Sequence, residues 1–150
     1  LFVSLHRNAF DLPSACGVEV WVYAVPTEAE LMAAGTILSA LSDVPMQKNR
    51  GVKRGNYGVL RGTKMPAVMV ELGFITNATD NKLFDDYFEA YAEAIAKGVV
   101  SCLGLQWVEG KQPEEPADDT LVALREENTK LRASIAQAKA LARQILELEG

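Results

Sequence analysis

Two short apolar runs, Leu1-Phe2-Val3-Ser4-Leu5 and Pro66-Ala67-Val68-Met69-Val70, constrain this chain more than any other feature. The first contains no breaker and reads as a buried strand of the kind that parallel sheets contain, and the second, opening on Pro66, is the next clearest strand. Residues 17–23 alternate and are rich in β-branched and aromatic side chains, which predicts another strand. Between these runs the period changes. Pro26-Thr27 opens a helix, with Thr27 and Glu30 spaced as a capping box, and Leu31, Ala34, Ile37, Leu38 and Leu41 mark its apolar face. A second helical stripe, through Tyr87, Tyr91, Ala94, Ile95 and Val99, covers about residues 86–103. Residues 43–56 read as irregular, 57–60 as a short strand, 62–64 as a turn and 73–80 as a loop. Strands alternating with helices predict an α/β domain over residues 1–108, a mostly parallel sheet flanked by helices.

Residues 109–120 are rich in proline and acidic residues and read as an extended linker. Beyond them the pattern becomes heptad. Leu121, Asn128, Ile135 and Ala142 are spaced by seven, as are Leu124, Leu131, Ala138 and Ile145. With the first set at a and the second at d, residues 121–150 read as a coiled-coil helix that could form a homodimer. Asn128 at an a position favours a parallel, in-register pair. Glu127 at g and the following Arg132 at e are placed for an interhelical ion pair.

The formal net charge of −5 and a pI near 4.9 argue against a nucleic-acid partner. No run of apolar residues is long enough to span a membrane. Cys16 and Cys102 show no zinc-ribbon spacing and read as unpaired thiols.

His6 and Glu71 each follow a buried-looking strand at its C-terminal end, where ligand crevices form in parallel sheets. A histidine ligand and a glutamate base placed there can make a hydrolytic site. A single histidine cannot hold a metal alone, and a lone histidine after a strand is more often structural.

The motifs around these residues are more specific. Ser4-Leu5-His6-Arg7-Asn8-Ala9 resembles the S-x-H-x-N-A signature of zinc-dependent N-acetylmuramoyl-L-alanine amidases. Asn49-Arg50-Gly51-Val52-Lys53 resembles their N-R-G-V-K segment. Residues 59–77, which contain Pro66-Ala67-Val68-Met69-Val70-Glu71-Leu72-Gly73-Phe74-Ile75-Thr76-Asn77, are similar to their V-L-R-x-T-x-x-P-A-V-L-V-E-x-G-F-I-T-N stretch. The resemblance covers about residues 1–105.

It implies hydrolysis of the amide between N-acetylmuramic acid and L-alanine in peptidoglycan, at the cell wall or outside the cell. It implies Zn2+ as cofactor, His6 as one zinc ligand and Glu71 as the catalytic carboxylate. The family's other two ligands, a histidine and a glutamate, lie upstream of this segment. The N-terminal part of the domain is therefore expected to be missing, and the fragment to be inactive alone. An alternative is a catalytically dead remnant that self-associates through the coiled coil. Asn8 is expected to orient His6 or the loop after it. Arg50, Lys53 and Arg61 could meet stem-peptide carboxylates or be solvated. Arg7 is expected to face solvent, and Glu19 to sit on an exposed strand face. Phe74 and Ile75 are expected to pack beneath the site, and Asn77 and Asp80 to cap the following turn or helix.

Overall fold

A computed structural model describes residues 1–109, 126–127, 129–131, 133–135 and 137. The chain divides into two units, Leu1–Trp107 and Val108–Gly150. In the first unit the elements run β1 (Phe2–Asn8), β2 (Val18–Tyr23), α1 (Glu28–Leu41), β3 (Asn49–Gly55), α2 (Gly58–Arg61), β4 (Ala67–Phe74), α3 (Ala78–Asp86) and α4 (Phe88–Cys102). The four strands form one sheet in the order β1-β4-β2-β3. β1 pairs with β4, and β2 with β3, in parallel; β2 and β4 are antiparallel. The sheet is therefore mixed, with one antiparallel pairing at its centre where the sequence suggested a mostly parallel arrangement.

The pleat sorts the side chains onto two faces. Val18, Val20 and Val22 of β2 and Val68, Val70 and Leu72 of β4 form one core with Ala33, Ala34, Ile37 and Leu41 of α1 and Tyr91, Ala94 and Ile95 of α4. α1 starts as its sequence predicts. The Thr27 hydroxyl accepts from the Glu30 amide, and the Glu30 carboxylate accepts from the Thr27 amide, completing the capping box. On the other face a smaller cluster gathers Ala67 and Met69 with Leu60, packed against Phe2, Trp21 and Tyr23.

Three local expectations change. Residues 49–55 form the edge strand β3. Their charged, glycine-containing sequence hides the strand because edge strands are kept soluble by charge and bulges. Residues 58–61 form the short helix α2 instead of a strand, and residues 78–80 already belong to α3. Cys16 and Cys102 are both free thiols.

In the second unit Glu126, Glu127, Thr129, Lys130, Leu131, Ala133, Ser134, Ile135 and Gln137 are helical, and Leu131 and Ile135 are exposed. The linker beyond Glu109 and the heptad positions Leu121, Leu124, Asn128, Arg132, Ala138, Ala142 and Ile145 lie outside the described residues. Among the described residues no helix is long and apolar enough to cross a membrane.

Candidate active site

The sheet brings His6 and Glu71 side by side. They are register partners on β1 and β4, and on its other side Glu71 is the register partner of Glu19 on β2. Partners on adjacent strands point to the same face. His6, Glu71 and Glu19 thus form a row across three strands, on the face that also carries Met69 and Trp21. β3 extends the row. Its register against β2 shifts between Val18 and Val20, at Arg50 and at Gly51, which has φ +83°. Two residues there oppose Glu19, as in a β-bulge, and Arg50 reaches across to it.

The two carboxylates differ in what surrounds them. Glu19 is 2% exposed and fully partnered. Its Oε1 accepts from Asn8 Nδ2 at 2.8 Å and Trp21 Nε1 at 3.0 Å, and its Oε2 pairs with Arg50 Nε at 2.6 Å. Glu71 is 8% exposed, and its Oε2 is buried with no hydrogen-bond partner. Burial raises the Glu71 pKa from 4.5 to about 7, reinforced by the neighbouring Glu19 charge. Burial disfavours the charged form of any carboxyl; here no donor compensates. A carboxyl poised near neutrality can both take a proton from water and return one to a leaving amine.

His6 is exposed, and its Nε2 lies 2.8 Å from the Ser4 hydroxyl, two residues back on the same strand face. Ser4, and not Asn8, therefore orients the imidazole. Asn8 serves the loop instead, its Oδ1 accepting from the Ala9 amide while its amide nitrogen holds Glu19. An exposed imidazole beside an unpartnered buried carboxyl oxygen fits one ligand of a metal and the base that works next to it. Among the described residues no three His, Cys, Asp or Glu side chains converge, so His6 is a partial donor set.

The remaining candidates separate. Arg50 is committed to Glu19 and to the Cys16 carbonyl, and its guanidinium lies 5.0 Å from the Phe74 ring. Lys53 is in register with Trp21 on the same edge strand. Arg61 ends α2 and donates to Asn56 at the surface. Neither reaches the carboxylate row.

Several residues depart from expectation. Glu19 is not an exposed strand residue but the most enclosed member of the site. The signal was in the pattern: Val18, Val20 and Val22 take one face, so Glu19 shares the other with Trp21 and Tyr23, and an aromatic face is not solvent. Arg7 is drawn inward too. It donates to the Leu72 carbonyl at 3.0 Å and to Asn81 at 2.8 Å, and its guanidinium lies 4.4 Å from the Phe84 ring centre. Phe74 is buried as expected, whereas Ile75 is exposed. Asn77 caps α3 by accepting from the Thr79 and Asp80 amides. Asp80 instead braces three segments, accepting from the Gly17 and Phe74 amides and from Gln47. Gly73 (φ +79°) lets β4 pass this brace, since a Cβ there would come within 3.0 Å of the Asp80 side chain. An apolar cleft of about 250 Å3, lined by Leu5, Arg7, Leu72, Phe84, Phe88 and Tyr91, opens beside β1. It borders His6 but shares no other residue with the row.

A mixed sheet that holds an unpartnered glutamate beside an exposed histidine on adjacent strands defines a carboxylate-centred site. The match to known proteins makes this specific: residues 1–101 fit the N-acetylmuramoyl-L-alanine amidase family, and the chain belongs to it. It is 35% identical over 102 residues to a probable cell wall amidase, LytH, of Staphylococcus epidermidis, covering 68% of this chain and 33% of that protein. The structure matches an N-acetylmuramoyl-L-alanine amidase of Clostridium difficile 630 with a TM-score of 0.64 and 33% identity, over 70% of this chain and 58% of that one. It matches the amidase AmiC2 of Nostoc punctiforme with a TM-score of 0.61 and 34% identity, over 69% and 57%. The chain thus spans about a third of LytH and little more than half of either solved amidase.

Proposed function

We propose that this chain carries the catalytic glutamate of a peptidoglycan amidase, acting at the cell wall or outside the cell on the amide between N-acetylmuramic acid and L-alanine. The observation that carries the reading is Glu71, a buried carboxyl with one orphaned oxygen and a pKa raised to about 7, at the register position next to His6. Glu71 accepts a proton from the attacking water and donates it to the alanine nitrogen as the amide bond breaks. The burial of Glu71 limits exchange of that proton with bulk water. Zinc, when bound, supplies Lewis-acid polarisation of the carbonyl and acidifies its water. His6 is the side chain here that would ligate it, with Ser4 fixing the ring. Because the described residues offer no complete ligand set, the 150-residue chain alone is expected to be inactive.

The test places residues 1–101 into the C. difficile amidase in exchange for the matching segment. The chimera should release peptides with N-terminal alanine from purified peptidoglycan. Glu71→Gln in that chimera should lower release by about 10²–10⁴-fold. Release that is indifferent to this substitution would overturn the assignment of Glu71.

A further inference from the structure

Among the described residues Glu71 has no counter-cation, although a guanidinium stands two strands away along the same row, beyond Glu19. Arg50 on β3 could in principle serve two carboxylates, Glu19 opposite it and Glu71 beyond. It is held by the first. Its Nε pairs with Glu19 at 2.6 Å, its Nη1 donates to the Cys16 carbonyl at 3.3 Å, and its plane lies against Phe74. Glu19 in turn is anchored by donors from two strands, Asn8 of β1 and Trp21 of β2. Both of its oxygens are thereby occupied. A partly buried guanidinium stays with the carboxylate that compensates it.

A salt bridge that only tied β2 to β3 would not need Asn8, on the far side of β4, to reach over and complete it. From this arrangement we propose that Glu19 is a positioning residue: it sequesters Arg50 and so leaves the Glu71 carboxylate unpaired for proton transfer. The proposal rests on the reading of Glu71 as the working carboxylate, but the ion-pair arrangement it describes is observable without any hydrolysis. Remove Glu19, and Arg50 loses its anion while the adjacent carboxylate in the row, Glu71, has a free oxygen. The guanidinium then moves one position along the row and quenches it.

The experiment is a crystal structure of the full chain carrying Glu19→Ala, in mildly alkaline buffer. Arg50 is expected within ~2.8 Å of a Glu71 oxygen, the distance of a charge-assisted hydrogen bond. Arg50 remaining on the Cys16 carbonyl, or turned to solvent, would overturn the proposal. Should Glu19→Ala not fold, Glu19→Gln keeps the side-chain volume and removes only the charge; Arg50 staying at position 19 in that variant is equally contrary. A second readout is the carbon-13 signal of the Glu71 carboxyl in the full chain. It should shift in the Glu19 variant and return toward its wild-type position when Arg50→Ala is added, whereas a merely structural role would leave single and double variants alike. Failure of the amidase chimera would remove the catalytic reading and leave these two results standing.

Discussion

A carboxyl that shares a buried sheet face with a second, fully hydrogen-bonded carboxylate takes up its proton more readily than one in water. For Glu71 this has a consequence for stability as well as chemistry. Between pH 4.5 and about 7 the folded chain keeps the Glu71 proton while the unfolded chain has released it. Folding therefore binds a proton in that window, and stability falls as pH rises through it, by at most ~3 kcal/mol. Below 4.5 both states are protonated and the penalty is absent. Glu71→Gln cannot ionise, so its stability relative to wild type should rise across the same window. Urea unfolding of both proteins at the two ends of the window reads this, and a constant difference between them would mean that Glu71 is not raised. Arg7 offers a second residue-level expectation. Its fork bonds the Leu72 carbonyl and Asn81 at once while stacking on Phe84, a geometry lysine cannot reproduce. Arg7→Lys should cost about 2 kcal/mol, seen as a lower thermal midpoint. The placing of His6 beside Glu71 was legible in the sequence because each follows an apolar run inside a specific motif, although β1 and β4 run on past them to Asn8 and Phe74. Arg7 and Glu19 were misjudged because a charged residue in a strand reads as solvent-facing until its neighbours two positions away are assigned to a face.

At the scale of elements, the strands that define the core announced themselves through composition, and β3 did not. Asn49-Arg50-Gly51-Val52-Lys53-Arg54-Gly55 has neither alternation nor a β-branched run, and it becomes a strand only because β2 offers it a parallel edge. Tertiary context also decides α2, whose four residues carry too little periodicity to be told from a strand. The long helices α1 and α4 were read more closely because their contacts follow sequence spacing, whereas most of α3 was not read as a helix. Where α1 and α4 cross, Gly98 permits the approach: a Cβ there would sit 2.6 Å from Ile37 Cα and 3.1 Å from its Cγ1. The conflict is with backbone, which no rotamer change relieves. Gly98→Ala should gain about 1 kcal/mol of helix propensity and lose more to overpacking, for a net destabilisation of about 1–2 kcal/mol. Equilibrium unfolding decides the sign. A variant at least as stable as wild type would show that the two helices can separate without loss.

For the whole molecule, the two units have different sources of order. Residues 1–107 own a core on one sheet face, whereas the described helical residues of the tail expose Leu131 and Ile135, at d and a of the heptad pattern. An apolar seam of that kind is stabilised by burial against another helix, and a second copy of the same chain supplies the matching register. On the function proposed above, with a polymeric wall as substrate, two linked copies would raise the local concentration of one site once the other is engaged. Sedimentation equilibrium of the full chain at tens of micromolar should therefore give the mass of a dimer, and deletion of residues 121–150 should give a monomer with the unfolding transition of the first unit unchanged. Asn128→Leu should tighten the association while broadening its stoichiometry, because an asparagine at an a position of the heptad pattern favours pairs at a cost in stability. A full chain that sediments as a monomer would assign the exposed leucine and isoleucine to another surface, and the case for two copies per particle would fall with it.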